Sequence, residues 1–174
     1  MNHYCGRLAA TCLILLAGMT AAQTSQLDGN WVITIGEDPS SYEVVASLRQ
    51  ESANTIKDEY ATKDVKPQLA FRCAPGNQEI SVQIDWRRFI SSFNTEVGFK
   101  VDGGKTLWQK WGVDQSNMIT ASKSSADSKS LIERLAGASE LLVEVSPYSE
   151  PPVTVQFDLA GFLQALDALK VECQ

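Results

Sequence analysis

Residues 67–86 read PQLAFRCAPGNQEISVQIDW, and this stretch decides the fold. Leu69, Phe71 and Cys73 alternate with Gln68, Ala70 and Arg72, then Ala74-Pro75-Gly76-Asn77 breaks the run. Beyond the break, Ile80, Val82, Ile84 and Trp86 alternate with Glu79, Ser81, Gln83 and Asp85. Period-two alternation on both sides of a Pro-Gly-Asn break predicts a β-hairpin with one apolar face.

The same period recurs outward from it. Trp31, Ile33 and Ile35 predict a first strand, and Tyr42, Val44, Ala46 and Leu48 its hairpin partner, with a turn cluster over residues 36–41. Val97, Phe99 and Val101 lead through Asp102-Gly103-Gly104-Lys105, where glycines suit a tight turn, to Leu107, Trp111 and Val113. A short strand is expected over residues 117–121, and further strands carry Leu141, Val143 and Val145, then Val153, Val155 and Phe157. Leu131, Ile132, Leu135 and Ala136 predict a short helix with Ser124 and Asp127 as caps and Gly137 as its stop. Leu159, Phe162, Leu163, Leu166, Leu169 and Cys173 fall at intervals of three and four, an apolar stripe on a final helix capped by Asp158. Residues 23–29 and 51–66 lack such patterns and are expected to be loose; the second, with its mixed charges, reads as a solvated loop or a partner-binding one.

The chain is 174 residues long, with 15 basic and 21 acidic side chains and a net charge of −6. Its first 22 residues have the form of a secretory signal peptide: Arg7 near the start, a small and apolar run over residues 8–18, then Thr20-Ala21-Ala22 at the cleavage position. That run is shorter than the roughly 20 residues needed to cross a bilayer. Residues 23–174 are then a single exported domain with no integral membrane segment, delivered to the periplasm. An acidic chain without a basic stripe makes nucleic acid an improbable ligand.

Cys5 and Cys12 leave with the leader, so Cys73 and Cys173 are the pair left to an oxidising compartment and predict one bridge. A redox or metal role for them would call for CxxC spacing or a nearby histidine, and neither is present. The fold class expected is α+β: a mainly antiparallel sheet with two helices, the C-terminal helix packed on the sheet and disulfide-linked to the central hairpin.

The one histidine, His3, also lies in the leader. Without it no Ser-His-Asp or Cys-His system can be assembled, and histidine-bearing zinc sites are excluded. No phosphate-cradling glycine loop is found. Paired carboxylates among Asp85, Glu96, Asp102 and Asp114 are the remaining catalytic device, and alternation places most of them on solvated faces. The expectation is a chain with no catalytic residues, no cofactor and no metal.

Surface candidates for binding a partner are Arg72, Trp86, Arg87, Arg88, Lys100, Asp102 and Trp108, all read as exposed. Arg87-Arg88 could clamp a carboxylate or phosphate, or pair with Asp85, Glu96 or another acidic group. Trp108 falls on the polar side of its strand, where an indole is either a contact site or covered by a helix.

The segment 67–73, the strand ending in Trp86, the run Val97-Gly98-Phe99-Lys100-Val101-Asp102 and the run Phe157-Asp158-Leu159-Ala160-Gly161-Phe162 leading to Cys173 together resemble the VasI family of type VI secretion-associated proteins. The likeness lies in order and spacing over residues 69–173, with Lys100 standing where the family has arginine. It implies an exported accessory of a Gram-negative envelope, without catalytic residues to carry over. The expected function is a non-enzymatic periplasmic protein that binds another envelope or secreted protein. The alternative is an inhibitor or immunity protein against a lysozyme-like hydrolase or toxin, for which an acidic body is suited.

Overall fold

The computed structural model describes residues 22–27, 29–38 and 42–174, in which ten strands precede the first helix and two more separate it from the second. The strands are β1 (Gln23–Gln26), β2 (Val32–Glu37), β3 (Val44–Glu51), β4 (Ile56–Lys57), β5 (Asp64–Val65), β6 (Gln68–Cys73), β7 (Ser81–Asp85), β8 (Thr95–Val101), β9 (Leu107–Val113), β10 (Ile119–Ala121), β11 (Glu140–Val145) and β12 (Val153–Asp158). The helices are α1 (Ser125–Leu135), between β10 and β11, and α2 (Phe162–Glu172) at the end. Residues 1–21 of the expected leader, with His3, Cys5 and Cys12, and turn residues 39–41 lie outside the described residues.

The strands form a ten-stranded sheet in the order β1-β2-β3-β6-β7-β10-β9-β8-β11-β12, while β4 and β5 pair separately. Every neighbouring pair is antiparallel. The central hairpin pairs as alternation requires, with Phe71 opposite Val82 and Leu69 opposite Ile84. Those four side chains are fully buried, as are Leu48, Val97, Trp111, Val143 and Phe157, so the inward positions of both halves of the sheet make one continuous core. The fold class is the expected one.

Helix α2 covers the inner face of β2, β3 and β6. Phe162 stacks at tilted angles on Trp31 and Phe71, with ring centroids 5.3 and 5.0 Å away, and Trp31 donates its Nε1–H to the Ala160 carbonyl at 3.0 Å. Gly29 lies against that same carbonyl with φ +73°, where an added Cβ would come within 2.5 Å of the oxygen; only glycine fits. One turn beyond Leu169, Cys173 is joined to Cys73 of β6, with Cα atoms 5.7 Å apart.

Helix α1 begins as the sequence predicts: Ser124 is its N-cap and accepts from the Asp127 amide at 3.1 Å, while Ser124 Oγ donates to Asp127 at 2.8 Å. Its buried face presents Leu131 and Leu135 to the core.

Several expectations fail, each for a local reason. Residues 23–26 are not loose but pair with β2 as an edge strand whose side chains are all exposed, so no apolar alternation could mark it. Residues 51–66 are not a structureless loop. Ile56 is buried, and Asp58 ties the β4–β5 turn by accepting from the Thr62 amide, the Thr62 hydroxyl and the Lys63 amide. Asp158 does not cap α2; it accepts from the Ala160 amide, and the helix starts at Gly161 with no side-chain cap. Leu163 stands 44% exposed and leaves the apolar stripe.

The segment that follows β3 also reaches the edge strand β12. The Ala53 amide donates to the Gln156 carbonyl at 2.7 Å, and the Asn54 side chain accepts from the Gln156 amide while donating to the Thr154 carbonyl. Asn54 thus imitates a strand against the outer edge of β12, which would otherwise be open to another chain.

Closing a loop of 100 residues restricts the unfolded chain by about 4 to 5 kcal/mol in the chain-entropy account. Replacing both cysteines, Cys73→Ala with Cys173→Ala, should lower unfolding stability in denaturant by that order, and a loss below about 1 kcal/mol would show that α2 is held by packing alone. Burial pulls the Asp58 carboxyl up, but hydrogen bonds from Thr62 and Lys63 outweigh it and leave the group below its ordinary value. Its hold on the turn should be complete above the ordinary carboxylate range and fade as pH falls through the lowered value. The protection of the Lys63 amide, its exchange rate relative to the intrinsic rate at each pH, measures this, and Asp58→Asn should remove the pH dependence of that protection.

Candidate functional site

The sheet has an outer face as well as the buried one. Over β2, β3, β6 and β7 the pairing register brings Thr34 opposite Ser47, Ser47 opposite Arg72, and Arg72 opposite Ser81; one step along, Val32 faces Arg49, Arg49 faces Ala70, and Ala70 faces Gln83. Arg49 and Arg72 are diagonal neighbours across Ser47 and Ala70, which are small and buried, so the two guanidinium groups rise from a low floor.

The arginines are not equivalent. Arg72 donates to Gln83 Oε1 at 3.1 Å and is ion-paired with Asp38, its side chain 22% exposed. Arg87 pairs with Asp85 at 3.0 Å, and Asp85 also accepts the Arg87 backbone amide. Arg49 donates its Nε to Ser47 Oγ at 2.9 Å, and among the described residues its two terminal nitrogens meet no acceptor. Burial, then the positive charges of Arg72 and Arg87, hold the Arg49 guanidinium below the ordinary arginine value against the pull of Asp38 and Asp85.

Arg49 lines adjoining clefts of about 520, 230 and 130 Å³. The largest also includes Gln50, 2% exposed, neither of whose amide atoms has a partner among the described residues. A further cleft of about 450 Å³ runs from Arg72 to the serines at the start of α1. There Ser122 and Ser128 hydroxyls lie 2.7 Å apart, so the serine cluster satisfies part of its own hydrogen bonding. The chemistry on offer is guanidinium, amide and hydroxyl donors, suited to recognising an anion or a polar protein surface.

The residues singled out from sequence are scattered. Arg72 and Arg87 belong to this face. Trp86 does not belong to any surface: it is fully buried, with its Nε1–H on the Thr120 hydroxyl at 2.9 Å. Its place on the apolar side of the β7 alternation prevails over its neighbourhood to two arginines. Arg88 is likewise interior, its side chain 3% exposed, donating to the Lys57 carbonyl at 2.9 Å and pairing with Glu150. It fastens the β4–β5 hairpin to the loop before β12 and is closed to a partner. The adjacent arginines therefore do not form one clamp.

Lys100, Asp102 and Trp108 lie in the other half of the sheet. Lys100 is half-buried opposite Leu142. Asp102 accepts the backbone amides of Ser139 and Glu140 at 3.0 and 2.9 Å and so anchors the start of β11. Trp108 is not covered by a helix; it is 51% exposed and lies across Gly98, its register partner on β8. A Cβ at Gly98 would stand 2.9 Å from two atoms of that indole. The glycine is thus the seat of the ring, which explains an aromatic side chain on a polar face.

No family model matches the chain, and no curated protein does. A solved structure does: the crystal structure of invasion associated protein B from Bartonella henselae. The two share 18% identity and align with a TM-score of 0.51 over 86% of this chain and 96% of the other. At that identity the likeness is one of fold.

Arg49 was missed by the sequence reading, although a signal was present. It and Arg72 both occupy polar positions of strands predicted to lie in the sheet, in a chain with more acidic than basic residues. What the sequence could not supply was that β3 and β6 are neighbours. Among the described residues no group of three or more His, Cys, Asp or Glu is gathered.

The pairing of Trp108 with Gly98 is testable by a double-mutant cycle. Gly98→Ala should displace the indole and destabilise the protein by about 1 kcal/mol, and the two changes together should cost about 0.5 to 1 kcal/mol less than their sum. Additive losses in denaturant unfolding would mean that the ring does not draw on the glycine.

Proposed function

We propose that the protein is a non-enzymatic, exported binding domain that docks another envelope or secreted protein through the outer face of β2, β3, β6 and β7. The observation that carries this reading is the Arg49, Arg72 and Arg87 array on a floor of small side chains, bordered by clefts. Its acidic members Asp38 and Asp85 are engaged with Arg72 and Arg87, an arrangement that presents donors outward and is organised for recognition. The signal-peptide pattern of residues 1–22 and the Cys73–Cys173 bridge support delivery to the periplasm, an oxidising compartment. A role beside type VI secretion or envelope assembly is supported by the order and spacing of motifs that resemble the VasI family. Among the described residues no helix is long and apolar enough to cross a membrane.

Site-specific photo-cross-linking in the periplasm locates the docking face without disturbing it. A cross-linking residue in place of Glu51, exposed on the rim of the largest cleft, should yield a discrete adduct, whereas one in place of Glu133 on the exposed side of α1 should not. An adduct from the Trp108 position and none from position 51 would move docking to the other half of the sheet. Absence of adducts from all three positions would remove the reading.

A further inference from the structure

Among the described residues, the charged groups gathered around Ser47 and Ala70 are ion-paired except Arg49, while Glu51, Lys66 and Asp158 also line the largest cleft. The charges acting on the Arg49 guanidinium come from Arg72 and Arg87 on one side and from Asp38 and Asp85 on the other. Arg72 is ion-paired with Asp38 and Arg87 with Asp85, so those four cancel and leave the single positive charge of Arg49. Its Nε is engaged by Ser47 Oγ, which fixes the plane of the group and leaves the two terminal nitrogens, the pair that grips a carboxylate in two-pronged fashion, without an acceptor among the described residues.

The surroundings leave room for such a group. Arg49 and Gln68 both line the 520 Å³ and the 130 Å³ clefts, with Ala70 on the floor of the smaller. Even the smaller is several times the ≈30 Å³ that a water molecule occupies in the liquid. Gln50 follows Arg49 on β3 and turns its buried amide to the opposite face, beside Leu69, so it is not a second donor to this group.

We propose that Arg49 is the receptor for one carboxylate of the docked protein, either an Asp or Glu side chain or a chain terminus, seated in the cleft over the outer face of β3 and β6. The assignment rests on the reading of this face as the docking surface. A monoanion is the matching charge, because one carboxylate neutralises the unpaired guanidinium. A phosphate dianion would leave an excess negative charge beside Asp38 and Asp85.

The test is an NMR titration of the mature protein at fixed ionic strength, following the Arg49 Nε–Hε resonance and the Ser47 and Ala70 amides. One arm uses a tripeptide blocked at both ends with a central glutamate, a second a triglycine with a free C-terminal carboxylate, and a third inorganic phosphate. Saturable shifts with either peptide, stronger than with phosphate, are the expected result, and the stronger peptide identifies the source of the carboxylate. Saturation by phosphate with both peptides silent, or no saturable shift with any of the three, overturns the assignment.

Arg49→Gln should weaken the preferred peptide at least tenfold. Gln68→Glu keeps Arg49 but sets a carboxylate diagonally beside it, and should weaken binding to a similar extent by occupying the site from within. Unchanged affinity in Gln68→Glu overturns the proposal even where Arg49→Gln fails to fold. Silent peptides with an adduct still formed at position 51 would sink the carboxylate receptor and leave the docking face standing; silent peptides with no adduct would remove both.

Discussion

The contact among Trp31, Phe71 and Phe162 is the one on which the rest depends. A wide antiparallel sheet with one apolar face must find a second layer, and for β2, β3 and β6 that layer is α2. The helix has little propensity support at its start, where Gly161 offers no side-chain cap. It is held by tertiary means: the aromatic cluster, the indole hydrogen bond to Ala160 and the covalent link to β6. With the inner face covered, the outer face of the same strands is free to carry arginines and amides on a fixed spacing, because strand register sets their separation.

The strands whose two faces differ in polarity were legible in the sequence. Alternation found β2, β3, β6 to β9, β11 and β12, and the stripe of Phe162, Leu166, Leu169 and Cys173 found the helix that buries them. Alternation is blind where no face is buried: Gln23, Thr24, Ser25 and Gln26 form a strand by backbone pairing alone. It is equally blind to structure held by a single side chain, as Asp58 holds the β4–β5 turn and Asn54 the seam with β12.

The candidate site was legible only in part, for the same reason. Arg72 was read correctly as an outward residue, and Arg49 has the same standing in its own strand. Their juxtaposition depends on β3 pairing with β6 rather than with the strand that follows it, a fact of topology that no local pattern states. Arg88 shows the opposite failure. A charged side chain looks like surface until two oxygens, the Lys57 carbonyl and the partly exposed Glu150 carboxylate, are found placed to receive a guanidinium that is itself buried.

The bridge between Cys73 and Cys173 spans 100 residues. A ribosome adding residues in order completes β6 long before the helix that will cover it exists, and everything from β7 to α2 must emerge before the ring can shut. Throughout that interval the nascent chain carries Leu69 and Phe71 without the helix that covers them, and Cys73 without Cys173. The covalent lock on α2 is thus the last element of the fold that synthesis can supply.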